Sequence, residues 1–237
     1  MWPRAGSWPL PADVDGPLGL ALLGVPAHLT SLSPTNAHHT PAAIRAALRR
    51  YSPAVVPDAR NDNIRALSDV VCADFGDIVD PDSPEGEERT MNLVAQARDR
   101  ASLVVALGGD NSVTFATARG SWGAQLVNAG LITLDAHFDL RDGISNGSPV
   151  RRLIEAGLDP TRIVQIGIAD FANSTAYAQR ARDYGITIIH RDECERRDMT
   201  DIMTEALEIA GRGTGPIHVD LDVDVCDRSV APACPAS

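Results

Sequence analysis

Short, almost unbroken apolar runs recur along this chain, separated by stretches of helical period. That rhythm restricts the fold more than any other feature. Leu18–Val25, Val70–Asp74, Leu103–Leu107, Gly130–Leu134, Arg162–Ile168, Ile186–Ile189 and Ile217–Val223 each read as a strand. Helices are predicted from Thr40 to about Arg50, Ser83 to about Arg100, about Ser112 to Arg119, Pro149 to Ala156, Ser174 to Tyr184 and Met199 to Ala210. Thr40-Pro41 and Ser83-Pro84-Glu85 carry helix-start chemistry, while Gly157, Gly185 and Gly211 stand where helices stop. Strands that are apolar on both faces belong in a parallel sheet covered on both sides, and their alternation with helices makes the chain an α/β protein.

Length and charge narrow the rest. The 237 residues suit one large domain, since no Pro/Ser-rich or charged linker divides them. A net charge of -11 with no basic stripe excludes a nucleic-acid partner. No apolar run approaches the roughly 20 residues of a membrane span, and the N-terminus lacks a signal-peptide core. The cysteines at 72, 194, 226 and 234 form no Cys-x-x-Cys pair, which points to a reducing, cytoplasmic setting.

Chemistry gathers where the predicted strands end. Asp135-Ala-His137-Phe-Asp139 follows the strand at 130–134. If the chain stays extended there, residues two apart point the same way and the three side chains converge. Such groups repel and desolvate one another unless a cation holds them. Near the C-terminus, Ile217-His-Val-Asp220-Leu-Asp222-Val-Asp224 alternates again, with no Lys or Arg to balance its carboxylates. Oxygen ligands with one imidazole suit a divalent cation, and the carboxylate excess favours Mn²⁺ over Zn²⁺. A third strand end, Gly108-Gly-Asp-Asn111-Ser112, reads as a sharp turn that Asp110 or Ser112 could cap, or as a way to bring the Asn111 carbonyl oxygen to the site. Ligands of α/β sheets bind beyond the carboxyl ends of the strands, where all three segments fall.

Together, Gly108-Gly-Asp-Asn-Ser112, Asp135-Ala-His-Phe-Asp139 and Asp222-Val-Asp-Val-Cys-Asp227 with Ala231-Pro232 resemble the signature motifs of the ureohydrolases, the family of arginase, agmatinase, guanidinobutyrase and formimidoylglutamase. The resemblance covers roughly residues 18 to 235. It implies a three-layer α/β/α sandwich with a mainly parallel sheet and a binuclear manganese site. Asp135 and Asp222 would bridge the two ions, Asp139 would bind the first, and His137 and Asp224 the second. A hydroxide bridging the ions would attack an amidine carbon, with Asp139 orienting it and passing its proton to the leaving nitrogen.

Two departures bear on the substrate. Family members usually carry His where this chain has Asn111, so the first ion should be held more weakly. Gly-Gly-Asp-Asn is the variant associated with formimidoylglutamase-like members. An agmatinase His that assists proton transfer is matched by Asn146, expected to contact substrate and serve catalysis. Arg141, two residues past Asp139, is a candidate for a substrate carboxylate; its alternative is a salt bridge to Asp142 or another surface acid. Arg151 and Arg152 read as a solvated helix face, and Cys226 and Cys234 as packing residues. The expectation is a manganese-dependent hydrolase of N-formimidoyl-L-glutamate releasing formamide, cytoplasmic and homo-oligomeric. An agmatinase or guanidino-acid hydrolase releasing urea is the alternative, and an inactive member a further one. Family members continue past Ala231-Pro232 with another strand and helix, so the sequence reads as C-terminally truncated.

Overall fold

A computed structural model describes residues 6–55 and 65–234. The beginning of the N-terminal segment and the last residues, Pro235–Ser237, lie outside them. The chain divides into two compact units, one of residues 1–29 and 36–110, the other of residues 30–35 and 111–237.

The first unit contains β1 (Leu18–Val25), α1 (Thr40–Leu48), β2 (Ala54–Val55), β3 (Arg65–Ala66), β4 (Cys72–Asp77), α2 (Pro84–Arg100) and β5 (Ala101–Gly108). Its sheet runs β4-β1-β5, all parallel, with a small antiparallel β2–β3 ladder beside it in sequence. The central strand is the apolar one: Leu18, Ala21, Leu22, Leu23 and Val25 are buried, with Val94 and Ala97 of α2. The start of α2 obeys its sequence signals. Ser83 accepts from the Gly86 N–H, Pro84 opens the first turn, and Glu85 and Glu87 face the positive end of the helix dipole. Gly109 is needed where β5 ends, because a Cβ there would sit 2.0 Å from the Ala27 carbonyl oxygen. The close approach is cemented by N–H bonds from Gly109 to Val25 O and from Asp110 to Ala27 O, both 2.8 Å.

The second unit contains α3 (Val113–Trp122), β6 (Gly130–Leu134), α4 (Pro149–Glu155), β7 (Ile163–Ile168), α5 (Thr175–Tyr184), β8 (Thr187–His190), α6 (Arg191–Cys194), α7 (Met199–Ala210) and β9 (Ile217–Leu221). The sheet runs β8-β7-β6-β9, again all parallel. Adjacent strand residues feed two separate cores. Leu131 and Ile163 pack with Trp122, Leu153 and Ala181, from α3, α4 and α5. Ile132 and Val164 pack with Ile202, Ala206 and Ile209 of α7. Side chains of successive residues leave a strand on opposite faces, so this sheet is covered on both sides and the unit has three layers. Leu134 pairs with Leu221 and with Ile166, so β6 and β9 end level, two residues short of the end of β7, and the loops leaving them emerge at one edge.

Most predicted boundaries fall within a few residues of the elements. β9 is the exception that matters: it stops at Leu221, and Val223–Val225 is a 3₁₀ turn. The β2–β3 ladder and α6 have no counterpart in the sequence pattern, and Ser112 makes no side-chain cap to α3. Among the described residues no helix is long and apolar enough to cross a membrane.

Candidate metal centre

Asp135 and Asp222 are the first residues past β6 and β9. Their N–H groups still bond to sheet carbonyls, Asp135 to Ile166 O at 2.9 Å and Asp222 to Leu134 O at 3.0 Å. Beyond them the strand geometry ends. The Asp135 carboxylate accepts from the His137 N–H at 2.6 Å, and Asp222 accepts from the Asp224 N–H at 2.9 Å. Each is a short turn closed by the aspartate on its own backbone. Asp139 then takes a left-handed backbone, φ 53°. The extended alternation expected at 135–139 and 222–224 is therefore corrected. Carboxylates spaced by two residues favour these turns as readily as a strand, and the turns are what gather the side chains.

Asp135, His137 and Asp224 present ligand atoms within 4.8 Å of one another. His137 Nδ1 lies 2.8 Å from Asp224 Oδ2 and 3.5 Å from Asp135 Oδ1, and the other Asp224 oxygen accepts from the Ala136 N–H at 3.0 Å. Asn111 meets the cluster from the start of α3. Its Nδ2 donates to Asp139 Oδ2 and lies 3.3 Å from Asp135 Oδ2, so these two carboxylate oxygens converge on one atom. The Asn111 oxygen accepts from the Thr114 hydroxyl at 3.0 Å. Thr114 is also bonded to Asp220, the half-buried carboxylate that precedes Asp222 on β9.

The electrostatics are those of crowded anions. Burial, and then the neighbouring carboxylates, push Asp139 well above the ordinary range; burial and Asp224 raise Asp135. Burial with Asp135 pushes Asp222 up to about 8 and Asp220 up to about 7. His137 is raised to about 10 by Asp135 and Asp224. Burial alone would raise Asp224, but the His137 hydrogen bond and the Ala136 N–H outweigh it and hold that carboxyl low. A divalent cation relieves this repulsion, and its preferred donors are present: hard carboxylate oxygens with one imidazole. Asn111 fits as well. Turning its amide over exchanges the two ends, giving Oδ1 to the carboxylate side and Nδ2 to Thr114, whose hydroxyl then donates to Asp220.

The other candidate residues have contacts of their own. Asn146 is engaged with the 30–32 segment: its Oδ1 accepts from the Leu32 N–H at 3.1 Å, and its own N–H reaches Thr30 O at 3.3 Å. Arg141 is exposed, its guanidinium 5.8 Å from the Tyr177 ring centroid. Asp142 pairs with Arg180 at 2.9 Å, so the salt bridge considered for Arg141 goes to a different arginine. Arg151 and Arg152 are not a solvated face. Arg151 binds the carbonyls of Arg141 and Gly143 and pairs with Glu155, and Arg152 lies 3.7 Å from the Phe115 ring centroid. An arginine side chain can bury its stem on a neighbour while spending its donors on backbone oxygens, which residue type alone does not show. All four cysteines are free.

Sequence reasoning passes over the groups that hold the candidate ligands in place. Thr114 is hidden inside an apolar helix. Arg191 Nη2 donates to the Asp224 carbonyl at 3.0 Å, pinning the turn that carries that candidate ligand. Asn173 and Gln165 reach the backbone between Asp135 and Asp139. Gln165 has a legible signal, a polar residue in the middle of an apolar strand.

Comparison with known proteins defines the class, a hydrolase acting on carbon–nitrogen bonds of amidino groups, and the buried carboxylate-imidazole cluster at the carboxyl ends of the strands is its candidate site. The chain belongs to the arginase family, whose model matches residues 18–237. It is 32% identical to a formimidoylglutamase of Halalkalibacterium halodurans over 98% of this chain and 74% of the relative. It is 33% identical to a guanidinopropionase of Pseudomonas aeruginosa over 94% of this chain and 71% of the relative. The solved formimidoylglutamase of Bacillus subtilis superposes with a TM-score of 0.83 at 29% identity, covering 94% of this chain and 71% of that one.

Proposed function

We propose that the chain is a manganese-dependent formimidoylglutamase, cleaving N-formimidoyl-L-glutamate to glutamate and formamide. The observation that carries the reading is Asn111 bonded to Asp135 and Asp139 in a Gly-Gly-Asp-Asn turn, beside the Asp135–His137–Asp224 cluster. The similarity to formimidoylglutamases supports it.

Asp135, Asp139, Asp222, Asp224, His137 and the Asn111 oxygen would hold the metal, Mn²⁺ by the hard-donor preference of the set. When bound, the metal activates water and polarises the amidine carbon. The protein's own part is positional. Asp139 and Asp135 turn oxygens toward one point, and Asp139 can take up a proton at its carboxylate and hand it to the departing nitrogen. His137, braced between two carboxylates, keeps its ring orientation. Arg141 stands in the loop after Asp139 with a planar, permanently charged group suited to a substrate carboxylate.

The test offers purified protein N-formimidoylglutamate, agmatine, guanidinobutyrate and arginine with Mn²⁺. Formamide from the first alone is expected. Urea from any other would move the assignment to a guanidino hydrolase, and no turnover of any of them would overturn the enzymatic reading. Arg141→Met should raise KM for formimidoylglutamate about tenfold or more while leaving kcat within a few-fold. An unchanged KM would remove Arg141 from the site.

A further inference from the structure

The segment between Asp135 and Asp139 has left the sheet, so its backbone polar groups have no ladder to join. Two amide side chains meet this need. Asn173 Oδ1 accepts from the Phe138 N–H at 3.1 Å, while its Nδ2 donates to the Ala136 carbonyl at 2.9 Å. Gln165 Nε2 donates to the Phe138 carbonyl at 3.0 Å. One carboxamide thus presents an acceptor and a donor to residues two apart, as a neighbouring strand would. The Ala169 N–H adds a bond to Ala136 O at 3.0 Å, and Asp224 takes the Ala136 N–H.

The consequence falls on His137 and Asp139. His137 lies between the two residues that Asn173 grips. Asp139 comes after Phe138 in a left-handed conformation that a non-glycine residue keeps only where its surroundings over-determine it. Gln165 is fully buried in β7, a costly place for an amide unless its bonds are needed. Asn173 sits in the loop between β7 and α5, so its contacts carry the position of β7 into the ligand segment.

We propose that Asn173, seconded by Gln165, is a positioning residue that presets the Asp135–Asp139 segment for metal before any metal arrives. This rests on the reading of that segment as a metal centre. The role is distinct from ligation, because neither amide needs to touch the ion. Outer groups of this kind typically govern metal affinity by about 10- to 100-fold.

The experiment compares the intact protein with Asn173→Leu, Asn173→Asp and Gln165→Met. Asn173→Asp keeps the acceptor for Phe138 but sets a carboxylate against the Ala136 carbonyl. Ile202→Ala serves as a control: it opens the other core cluster of this unit, to which no residue of the 135–139 segment belongs. Two readouts are taken at a temperature well below every melting point: Phe138 amide hydrogen exchange in metal-free protein, and Mn²⁺ affinity from the signal of the free ion. The proposal predicts protection of Phe138 in the unsubstituted protein and in the control, and faster exchange in Asn173→Leu, which removes its acceptor. It also predicts Mn²⁺ binding weakened about tenfold or more in both Asn173 variants and in Gln165→Met, but not in the control. Equal exchange in folded Asn173→Leu and equal affinity in both Asn173 variants would overturn the positioning role and leave the metal reading standing. An unsubstituted protein that binds no Mn²⁺ would overturn the metal reading, and the proposal with it.

Discussion

Asn111 brings an amide to the candidate site, and its chemistry depends on Thr114. An amide can offer the site its nitrogen or its oxygen, and the hydroxyl at 3.0 Å decides which. When Thr114 donates to Asp220 it can accept from the Asn111 nitrogen, leaving the oxygen for a cation. Thr114→Val removes this choice with little change of volume. It should weaken the first Mn²⁺ to bind the Asn111 side of the site by about tenfold, as loss of an outer partner usually does. Asn111→His should strengthen it. Electron paramagnetic titration of free Mn²⁺ reads both, and equal affinities for all three proteins would remove Asn111 from the ligand set. A second residue-scale consequence concerns acid. Burial lowers His218 to about 4 from 6.5, so the unfolded chain takes up a proton that the folded chain refuses. Its contribution is intact above about pH 6.5 and falls as the pH drops toward 4, by up to about 3 kcal/mol. Urea unfolding at pH 7 and pH 4.5 should therefore show a smaller acid loss in His218→Gln than in the parent; an identical loss would refute the assignment.

Among the elements, legibility in the sequence depends on where hydrogen bonds are made. β6, β7 and α5 are readable because their bonds are internal and their apolar periods are regular. The 135–139 and 222–225 turns are not, because aspartates that cap their own backbone look in sequence like the alternation of a strand. The site's composition is legible; the way it converges is not. Asn173 and Arg191 act across gaps of 35 and 33 residues, which no local pattern records. Gly167 shows how tightly these elements are fitted. It lies at the irregularity in the β7–β8 ladder with φ +93°, and a Cβ there would meet Val225 Cγ2 at 2.4 Å. Gly167→Ala should cost about 1–3 kcal/mol in strain and displace the turn bearing Asp224. Denaturant melts should show the stability loss, and Mn²⁺ titration a loss of affinity beyond that of a core variant of equal stability.

For the whole molecule the charge balance is the governing quantity. A chain of net charge -11 concentrates buried carboxylates in its second unit, and every candidate ligand belongs to that unit. Metal should therefore act as a folding ligand as well as a catalytic one. At about 100 times its dissociation constant a bound ion contributes about 2.7 kcal/mol, which for a chain of this size raises the melting midpoint by roughly 5–10 °C. Calorimetry with Mn²⁺ and with excess chelator should show that difference, and coincident melts would argue against a native-state site. The most direct test of the central claim is isothermal titration of Mn²⁺ into metal-free protein and into Asp135→Asn. Saturable binding by the parent and its loss in the variant is the predicted result. Binding of equal strength and stoichiometry in both would contradict a metal centre built on Asp135.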